Sequence, residues 1–252
     1  MPVMDEFREE REAMKQKSFK EKFQYFVDYY KWHVIGGVLA VAFAVSLIHS
    51  IVTHKDYAFY YAFLNTYQTP ASETFREDFA AQAGIDLEKY EVMLDTDLYI
   101  TDNVYDENNV GTVERLMVYI AAGDIDVMAG DVNSMNRYTY NGTFMDLRQL
   151  LPEELQAVLE PYYYYMDGAV ADEINEHQEI GEIDYVPQYP ANPSDPESMT
   201  DPIPVGLYIQ DCARIQESFI FKESEAVMCI VANAEDPNTV LEYIRFVFDL
   251  EN

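Results

Sequence analysis

The chain has 252 residues, with 46 acidic and 16 basic side chains and a formal net charge of −30. Residues 1–31 contain seven side chains of each sign, so the excess negative charge lies in residues 55–252, which hold 39 acidic and nine basic residues. Nucleic acids and anionic lipid surfaces are bound by Lys and Arg that neutralise phosphates. We therefore expect no nucleic-acid partner, and we expect the acidic surface mainly to keep the protein soluble.

An uncharged segment of 22 residues, WHVIGGVLAVAFAVSLIHSIVT, follows residue 31. As an α-helix it would reach roughly 33 Å at ~1.5 Å per residue, which is enough for the ~30 Å hydrocarbon core of a bilayer. A cleaved signal peptide is the competing interpretation. The long charged region before the segment, and small-x-small triplets that lie inside it rather than after it, argue against cleavage. We predict a retained transmembrane helix over residues 32–54.

Basic residues predict the orientation of this helix. Seven Lys and Arg precede it, whereas Lys55 is the only one between the helix and Arg76. The positive-inside rule places the N-terminus in the cytoplasm and residues 55–252 outside, which makes a single-pass protein of the cell membrane. The spacing of Phe19, Phe23 and Tyr30 predicts that residues 1–31 form an amphipathic juxtamembrane helix on the inner membrane surface. A helix that docks a partner is the alternative.

From residue 57 onward, strand and helix patterns alternate. Predicted strands cover 57–65, 90–100 and 124–130, and predicted helices cover 69–84, 108–123, 132–142 and a stretch from about residue 152. Helix-length connections between consecutive strands predict parallel pairing and therefore an α/β fold, a parallel or mixed sheet with flanking helices. Residues 170–204 are acidic, rich in proline and without sustained periodicity, so they are predicted to form a long irregular loop.

Three aspartates lie close together in AAGDIDVMAGD, residues 121–131. The helix, turn and strand pattern places Asp124 in a turn, Asp126 at the start of a strand and Asp131 just beyond the end of that strand. They are therefore not expected to converge on a metal. Open α/β sheets bind ligands outside the carboxyl ends of their strands. By that rule the candidate ligand-binding residues are Asn65, Tyr67, Asp131, Asn133 and Asp211, although each could be an ordinary polar loop residue.

The stretch VERLMVYIAAGDIDVMAGDVNSMNRYTYNGTFMDLRQLL, residues 113–151, resembles a signature region of the extracellular solute-binding proteins of ABC transporters, which have the type 2 periplasmic-binding fold. The matching positions are Leu116, Gly123, Asp126, Val127, Gly142, Phe144, Asp146, Leu147 and Leu150. Residues 203–209 are similar to the family's hinge-crossing strand, and residues 228–248 to its return strand and helix. The opening YYKWH also resembles small membrane proteins of Gram-positive, clostridia-like bacteria.

This resemblance implies a periplasmic-binding-like domain that binds a small solute, such as a sugar or a peptide, for a transporter. The chain departs from the family in two respects. Only about 52 residues separate Leu150 from Ile203, which implies a reduced second lobe. The predicted anchor is a transmembrane helix, whereas Gram-positive solute receptors generally carry a lipid. A structural or assembly protein of the cell envelope, which binds a protein partner through a degenerate solute-binding fold, is therefore the alternative function.

Few residues suit catalysis. Of the four histidines only His177 lies well inside the body, and no G-x-S-x-G, H-E-x-x-H or P-loop motif occurs. We expect no enzyme, no cofactor and no bound metal; a glycosidase-like pair of carboxylates is the alternative. The acidic run 95–109 lacks the calcium-loop pattern.

Two further features remain open from sequence. The four tyrosines at 162–165 could form a sugar-stacking platform or could bury their rings in the core. Cys212 and Cys229 could form a disulfide in an exported domain or could remain unpaired thiols.

Overall fold

The computed structural model describes residues 18–53, 55–101, 107–182, 185–222 and 225–251. The chain divides into two compact units after residue 54.

The first unit contains one helix, α1, which spans Phe19–Thr53 without interruption. Its segment Lys31–Thr53 has 23 residues and a mean hydropathy of 2.2, so it is long and apolar enough to cross a membrane. The prediction of a long apolar helix near the N-terminus is thus confirmed. Of the predicted juxtamembrane helix, the part from Phe19 is helical and continuous with the apolar segment. Residues 1–17 lie outside the described residues.

The second unit is built on a mixed six-stranded sheet with flanking helices, which confirms the predicted α/β class. In spatial order the strands are β3 (Glu91–Leu98), β1 (Tyr57–Leu64), β4 (Val127–Asp131), β8 (Ala226–Ile230), β6 (Pro202–Tyr208) and β5 (Tyr163–Asp167). Strand β1 pairs in parallel with β3 and β4, as the helix-length connections predicted. The other three pairings are antiparallel. A separate antiparallel ribbon joins β2 (Thr66–Gln68) to β7 (Phe219–Phe221).

The helices of this unit, in chain order, are α2 (Ser72–Gln82), α3 (Glu107–Ala122), α4 (Val132–Thr139), α5 (Leu147–Leu150), α6 (Glu153–Leu159), α7 (Gly168–Glu179), α8 (Ala213–Ser218) and α9 (Pro237–Val247). Helix α2 begins three residues later than predicted. The hydroxyl of Thr69 accepts from the backbone N–H of Ala71, and the Thr69 carbonyl accepts from Ser72, so Thr69 forms a turn ahead of the helix.

Strand β1 separates two buried layers. Its alternate residues Phe59, Tyr61 and Phe63 enter the aromatic layer, which they form with α2 and α9. The β1 residues between them enter a second layer, to which α3 and α4 also contribute. We call it the polar layer because it contains buried carboxylates and hydroxyls. All these β1 side chains are at most 2% exposed. Burial on both faces explains the nearly continuous apolar run of β1, as in other parallel strands covered on both sides.

The prediction of an irregular loop over residues 170–204 is wrong at both ends, because α7 extends to Glu179 and β6 begins at Pro202. The side chain of Asp167 caps this helix by accepting from the backbone N–H of Ala169 at 3.1 Å. Only Gly168 of α7 is buried, so no apolar stripe marked the helix in the sequence. Residues 180–201 are irregular apart from a short 3-10 turn at Pro196–Ser198, and residues 183–184 lie outside the described part.

The expected second lobe is absent as a separate body within the described residues, because residues 55–252 form one compact unit. The two segments that were expected to cross between lobes are neighbouring strands of the same sheet, with Leu207 of β6 paired to Met228 of β8. None of the described residues from 180 to 201 is buried. That stretch therefore has no core of its own with which to build a lobe.

Candidate functional site

A cleft of about 600 Å³ opens where the three parallel strands end. Its lining comes from the residues after β1 and β3, from the end of β4 and the start of α4, and from two loops: Asn65, Ile100, Thr101, Asp131, Asn133, Ser134, Asn136, Arg137, Tyr189 and Lys222. Open α/β sheets bind ligands at this edge, and small-molecule sites measure roughly 300–1,000 Å³. The cleft therefore has both the position and the size of a binding site.

The floor of the cleft is fixed by Asn65, which directly follows β1. Its backbone has φ 50°, a left-handed conformation that Asn adopts more readily than most residues. Its side-chain oxygen accepts from the backbone N–H of Ile100 at 2.9 Å, and its Nδ2 donates to the hydroxyl of Ser134 at 2.7 Å. One side chain thus joins the ends of β1 and β3 to helix α4.

Asp131 is the N-cap of α4 and is only 2% exposed. One carboxylate oxygen accepts from the backbone N–H of Ser134 at 2.9 Å, and the other accepts from the Ser134 hydroxyl at 2.8 Å. This is a standard capping arrangement, in which the carboxylate also faces the positive end of the helix dipole. The carboxylate holds the helix start in place and has both oxygens engaged within the protein.

Other lining groups present hydrogen-bond donors. The oxygen of Asn136 accepts from the hydroxyl of Tyr164 at 2.8 Å, which leaves the Asn136 NH₂ group for the cleft. Burial raises the pKa of Tyr164 well above its usual value, so this phenol stays protonated and keeps donating. Thr101 is an exposed lining residue, and its backbone N–H donates to the side-chain oxygen of Asn109 at 3.0 Å.

An aromatic wall comes from the irregular segment 180–201. The ring of Tyr189 lies 4.7 Å from the ring of Tyr140, centroid to centroid. The segment is fastened to β5, because the Tyr165 N–H donates to the Pro193 carbonyl at 2.8 Å. Asp167 fastens its far end by accepting from the N–H groups of Thr200 and Asp201, each at 2.9 Å. Burial acts to raise the pKa of Asp167, but these backbone donors outweigh it and the pKa is lowered.

Three of the five residues nominated from sequence, Asn65, Asp131 and Asn133, line this cleft together. Tyr67 does not: it lies on the ribbon, is 57% exposed and has its ring against Tyr99. Asp211 lines a different cavity of about 200 Å³ beside α8.

The location of Asp211 follows from its neighbours in the chain. Ile209 and Ile215, on either side of it, are buried in the aromatic layer. The turn after β6 therefore carries Asp211 to that layer and away from the strand-end cleft.

Two cleft residues that sequence reasoning missed carry positive charge, Arg137 and Lys222. Arg137 is four residues after Asn133 on α4, so helical spacing could have placed it on the same face. Lys222 follows β7 at the end of the ribbon, and no local pattern in the sequence connects it to the cleft.

The features left open by the sequence have the following outcomes. Cys212 and Cys229 are free thiols, half-buried and buried respectively, so the disulfide alternative is wrong. Burial raises the pKa of the Cys212 thiol to about 12, which keeps it neutral. Tyr163 and Tyr164 are buried in the core, as the second interpretation of that run predicted, whereas Tyr162 is 39% exposed.

Within the part of the chain that the structure describes, no group of three or more His, Cys, Asp and Glu could hold a metal ion. Asp126 and Asp131 have separate roles, since Asp126 accepts from the backbone N–H of Tyr60 at 2.9 Å. Asp126 is buried, and that burial raises its pKa to about 7. The acidic run 95–109 includes residues 102–106, which lie outside the described residues.

Comparison of the chain with protein-family models, with curated proteins and with solved structures gave no match in any of the three.

Proposed function

We propose that residues 55–252 form a non-catalytic binding domain that holds a small solute in the strand-end cleft. The observation that carries this proposal is the cleft itself, a cavity of about 600 Å³ at the carboxyl ends of three parallel strands. Its floor is set by the bonds of Asn65 and Asp131. The resemblance of residues 113–151 to extracellular solute-binding proteins supports the same function.

The chemistry of the lining favours binding over turnover. The one carboxylate among the described lining residues, Asp131, has both oxygens engaged by Ser134 and is not placed to act as a base. Nucleophilic catalysis needs a base within hydrogen-bond reach of the attacking hydroxyl. No hydrogen bond in the described structure joins the Thr101 hydroxyl to such a base. The Ser134 hydroxyl does donate to Asp131, but it belongs to the cap of α4 and also accepts from Asn65. Recognition through hydrogen bonds is the chemistry that the lining supports.

We further propose that α1 anchors this domain to the cell membrane with the domain on the extracytoplasmic side. The length and hydropathy of Lys31–Thr53 support the anchor, and the seven basic residues before it support the orientation. Protease added to intact cells should remove the domain and leave the N-terminal segment protected. Protection of the domain in intact cells, with loss only after lysis, would contradict the orientation.

The binding proposal is tested by thermal unfolding of the full chain in detergent, followed by circular dichroism. A panel of sugars, amino acids, short peptides and organic acids is added in turn. A solute that binds only the native state raises Tm, by several degrees when it is far above its Kd. The shift should vanish in Thr101→Trp, which fills the cleft, and persist in Val158→Trp, at an exposed position on α6. A cooperative transition that no solute moves would contradict the proposal.

One observation favours the second candidate function, binding of a membrane or envelope protein. Helix α3 exposes Val110, Met117 and Val118, which share a face at i, i+7 and i+8 and are 43%, 58% and 63% exposed. Contiguous exposed apolar side chains mark interaction surfaces. Under this alternative, Met117→Glu should abolish co-purification of a protein partner and leave solute-induced shifts in Tm unchanged.

A further inference from the structure

We infer that the solute bound in the strand-end cleft is a small organic oxyanion, that is, a molecule carrying carboxylate or phosphate groups. The inference rests on the proposed function of this cleft and names the chemical class of its ligand. Three observations carry it: the distribution of positive charge over the domain, the hydrogen-bonding state of the lining, and the size of the cavity.

The domain has nine basic residues, and seven of them are engaged within the protein. Six form ion pairs: Arg76 with Glu73, Lys89 with Asp86, Arg115 with Asp95, Arg148 with Asp146, Arg214 with Asp249 and Arg245 with Glu242. The seventh, Lys55, donates to the carbonyl of Leu87 at 2.6 Å. The remaining two are Arg137 and Lys222. Neither forms an ion pair with any described residue, and both line the cleft.

This distribution is unexpected in a domain with 39 acidic residues, where carboxylates are available almost everywhere on the surface. Arg137 and Lys222 come from different parts of the fold, from α4 and from the end of the β2–β7 ribbon. Folding therefore brings to one cavity the two cations that have no ion pair among the described residues. An anion from solution is the missing partner that this arrangement fits, since Arg and Lys both bind carboxylate and phosphate.

The hydrogen bonds made by the lining residues also favour an anionic ligand. Three lining side chains have their acceptor oxygens engaged within the protein: both Asp131 oxygens accept from Ser134, the Asn136 oxygen accepts from Tyr164, and the Asn65 oxygen accepts from Ile100. The lining also includes the Asn136 NH₂ group, the two cationic side chains and Thr101. A neutral sugar presents hydroxyls that require acceptors as well as donors. An oxyanion requires donors alone, and the two cations and the Asn136 NH₂ group can only donate, whereas the hydroxyls of Thr101 and Tyr189 can also accept.

The dimensions of the cleft favour an organic anion over an inorganic one. A cavity of about 600 Å³ falls within the range for metabolite-sized ligands. The exposed Tyr189 ring, 44% accessible and held against Tyr140, offers an aromatic surface for a carbon skeleton. The anionic group is then expected near Arg137 and Lys222, and the remainder of the solute toward Tyr189.

The test is titration calorimetry of the full chain in nanodiscs of neutral lipid. Citrate probes the carboxylate class and glucose 6-phosphate probes the phosphate class; glucose and inorganic phosphate are their neutral and inorganic controls. We expect one of the two organic anions to bind more tightly than either control. Arg137→Gln and Lys222→Gln should each weaken that binding by roughly 10- to 100-fold, because a hydrogen bond to a charged group contributes ~1.5–3 kcal/mol and each ~1.4 kcal/mol is a factor of ten. Lys89→Gln, at an exposed lysine distant in the fold, is the matched control and should leave affinity unchanged.

The outcomes separate the two proposals. Binding of glucose or another neutral solute that Thr101→Trp abolishes and Arg137→Gln leaves intact would overturn the anion inference while the binding function stands. Organic anions that bind the double variant Arg137→Gln/Lys222→Gln as tightly as the wild type would also overturn it. If no solute binds in calorimetry and none moves Tm, the proposed function and the inference fail together.

Discussion

On one face of β1, the rings of Phe59 and Tyr61 contact rings of α2 and α9, and Phe63 contacts rings of β7. On the other face, Tyr60 makes two polar contacts besides its ring contacts. In the aromatic layer Tyr61 stacks on Tyr243 with centroids 5.4 Å apart, and the hydroxyls of both are buried without a hydrogen-bond partner among the described atoms. In the polar layer the Tyr60 hydroxyl donates to Asp95 at 3.0 Å and its backbone N–H donates to Asp126.

The two layers contribute differently: the aromatic layer mainly stabilises the domain, whereas the polar layer holds particular side chains in position. Ring packing in the aromatic layer contributes through area and contact alone, and it tolerates unpaired hydroxyls at a cost. The polar layer contains specific bonds, and Asn65 and Asp131 extend that pattern of specific bonds to the edge of the sheet where the cleft opens. The separation is incomplete, since the Tyr138 hydroxyl of the polar layer is also without a partner among the described residues. The predictions below test it, beginning with the largest expected effect.

Phe79→Ala should lower the free energy of unfolding by about 3–5 kcal/mol, the range for an aromatic ring removed from a core. Phe79 is fully buried, and its ring contacts four others in the aromatic layer, those of Phe59, Tyr61, Tyr243 and Phe246. Urea denaturation measures the change. The control is Tyr67→Ala on the ribbon, which should cost less than ~1 kcal/mol. Equal losses would contradict the assignment of stability to the aromatic layer.

Asp126→Asn should stabilise the domain at pH 8 and have little effect near pH 4. Burial raises the folded-state pKa of Asp126 to about 7, whereas the unfolded value is ~3.9. The stability associated with this group is therefore fully present below pH ~4 and is lost as pH rises to about 7. Asn still accepts from the Tyr60 N–H and removes the buried charge, so the gain at pH 8 can reach roughly 4 kcal/mol at ~1.4 kcal/mol per pKa unit.

The measurement for Asp126→Asn is urea denaturation of variant and wild type at both pH values. Comparing the two proteins cancels the general relief of charge repulsion that acid brings to a domain with 39 acidic residues. A change in stability that is the same at pH 4 and pH 8 would show that Asp126 does not titrate in this window.

Asn65→Ala should reduce stability by about 1–3 kcal/mol and also weaken ligand binding. The substitution removes the bonds to Ile100 and Ser134 and places Ala in a left-handed conformation. Glycine adopts the left-handed backbone conformation without strain but lacks the side chain. Asn65→Gly should therefore be more stable than Asn65→Ala and bind the ligand no more tightly. Recovery of affinity in the Gly variant would mean that the side-chain bonds do not position the cleft.

The smallest expected effects are opposite in sign between the layers. Tyr243→Phe should be neutral or stabilising by up to ~1 kcal/mol, because the hydroxyl it removes is buried without a partner in the described structure. Tyr60→Phe should cost about 1 kcal/mol, because it leaves a buried Asp95 oxygen with one donor fewer. Thermal unfolding measures both variants. A similar loss of stability in the two would contradict the proposed difference between the layers.

Local sequence patterns were sufficient to predict the parallel half of the fold. Strand-like patterns at β1, β3 and β4 alternate with helical patterns that are followed by Gly84 and Gly123, so their type and direction follow from neighbouring residues. The antiparallel half was beyond such reasoning, because β8 joins β4 through pairs such as Asp131 with Ala226, far apart in the chain. Helix α7 was missed because it buries almost no apolar surface.

Among the residues of the cleft, too, local sequence patterns predicted some and missed others. Asn65, Asp131 and Asn133 were predicted because residues after parallel strands meet at one edge of the sheet. Lys222 reaches the cleft on the ribbon, and Tyr189 on an irregular segment held by backbone bonds to β5. Both placements depend on tertiary contacts that leave no periodic signal in the sequence.

The central claim, that the strand-end cleft binds a solute, is tested most directly by hydrogen–deuterium exchange of the full chain. Exchange is compared with and without the organic anion that binds most tightly in calorimetry. The predicted result is slower exchange confined to the segments around Asn65, Thr101, residues 131–137, Tyr189 and Lys222, with the aromatic layer unchanged. Protection that falls instead on the exposed face of α3, or on the cavity beside Asp211, would contradict the claim.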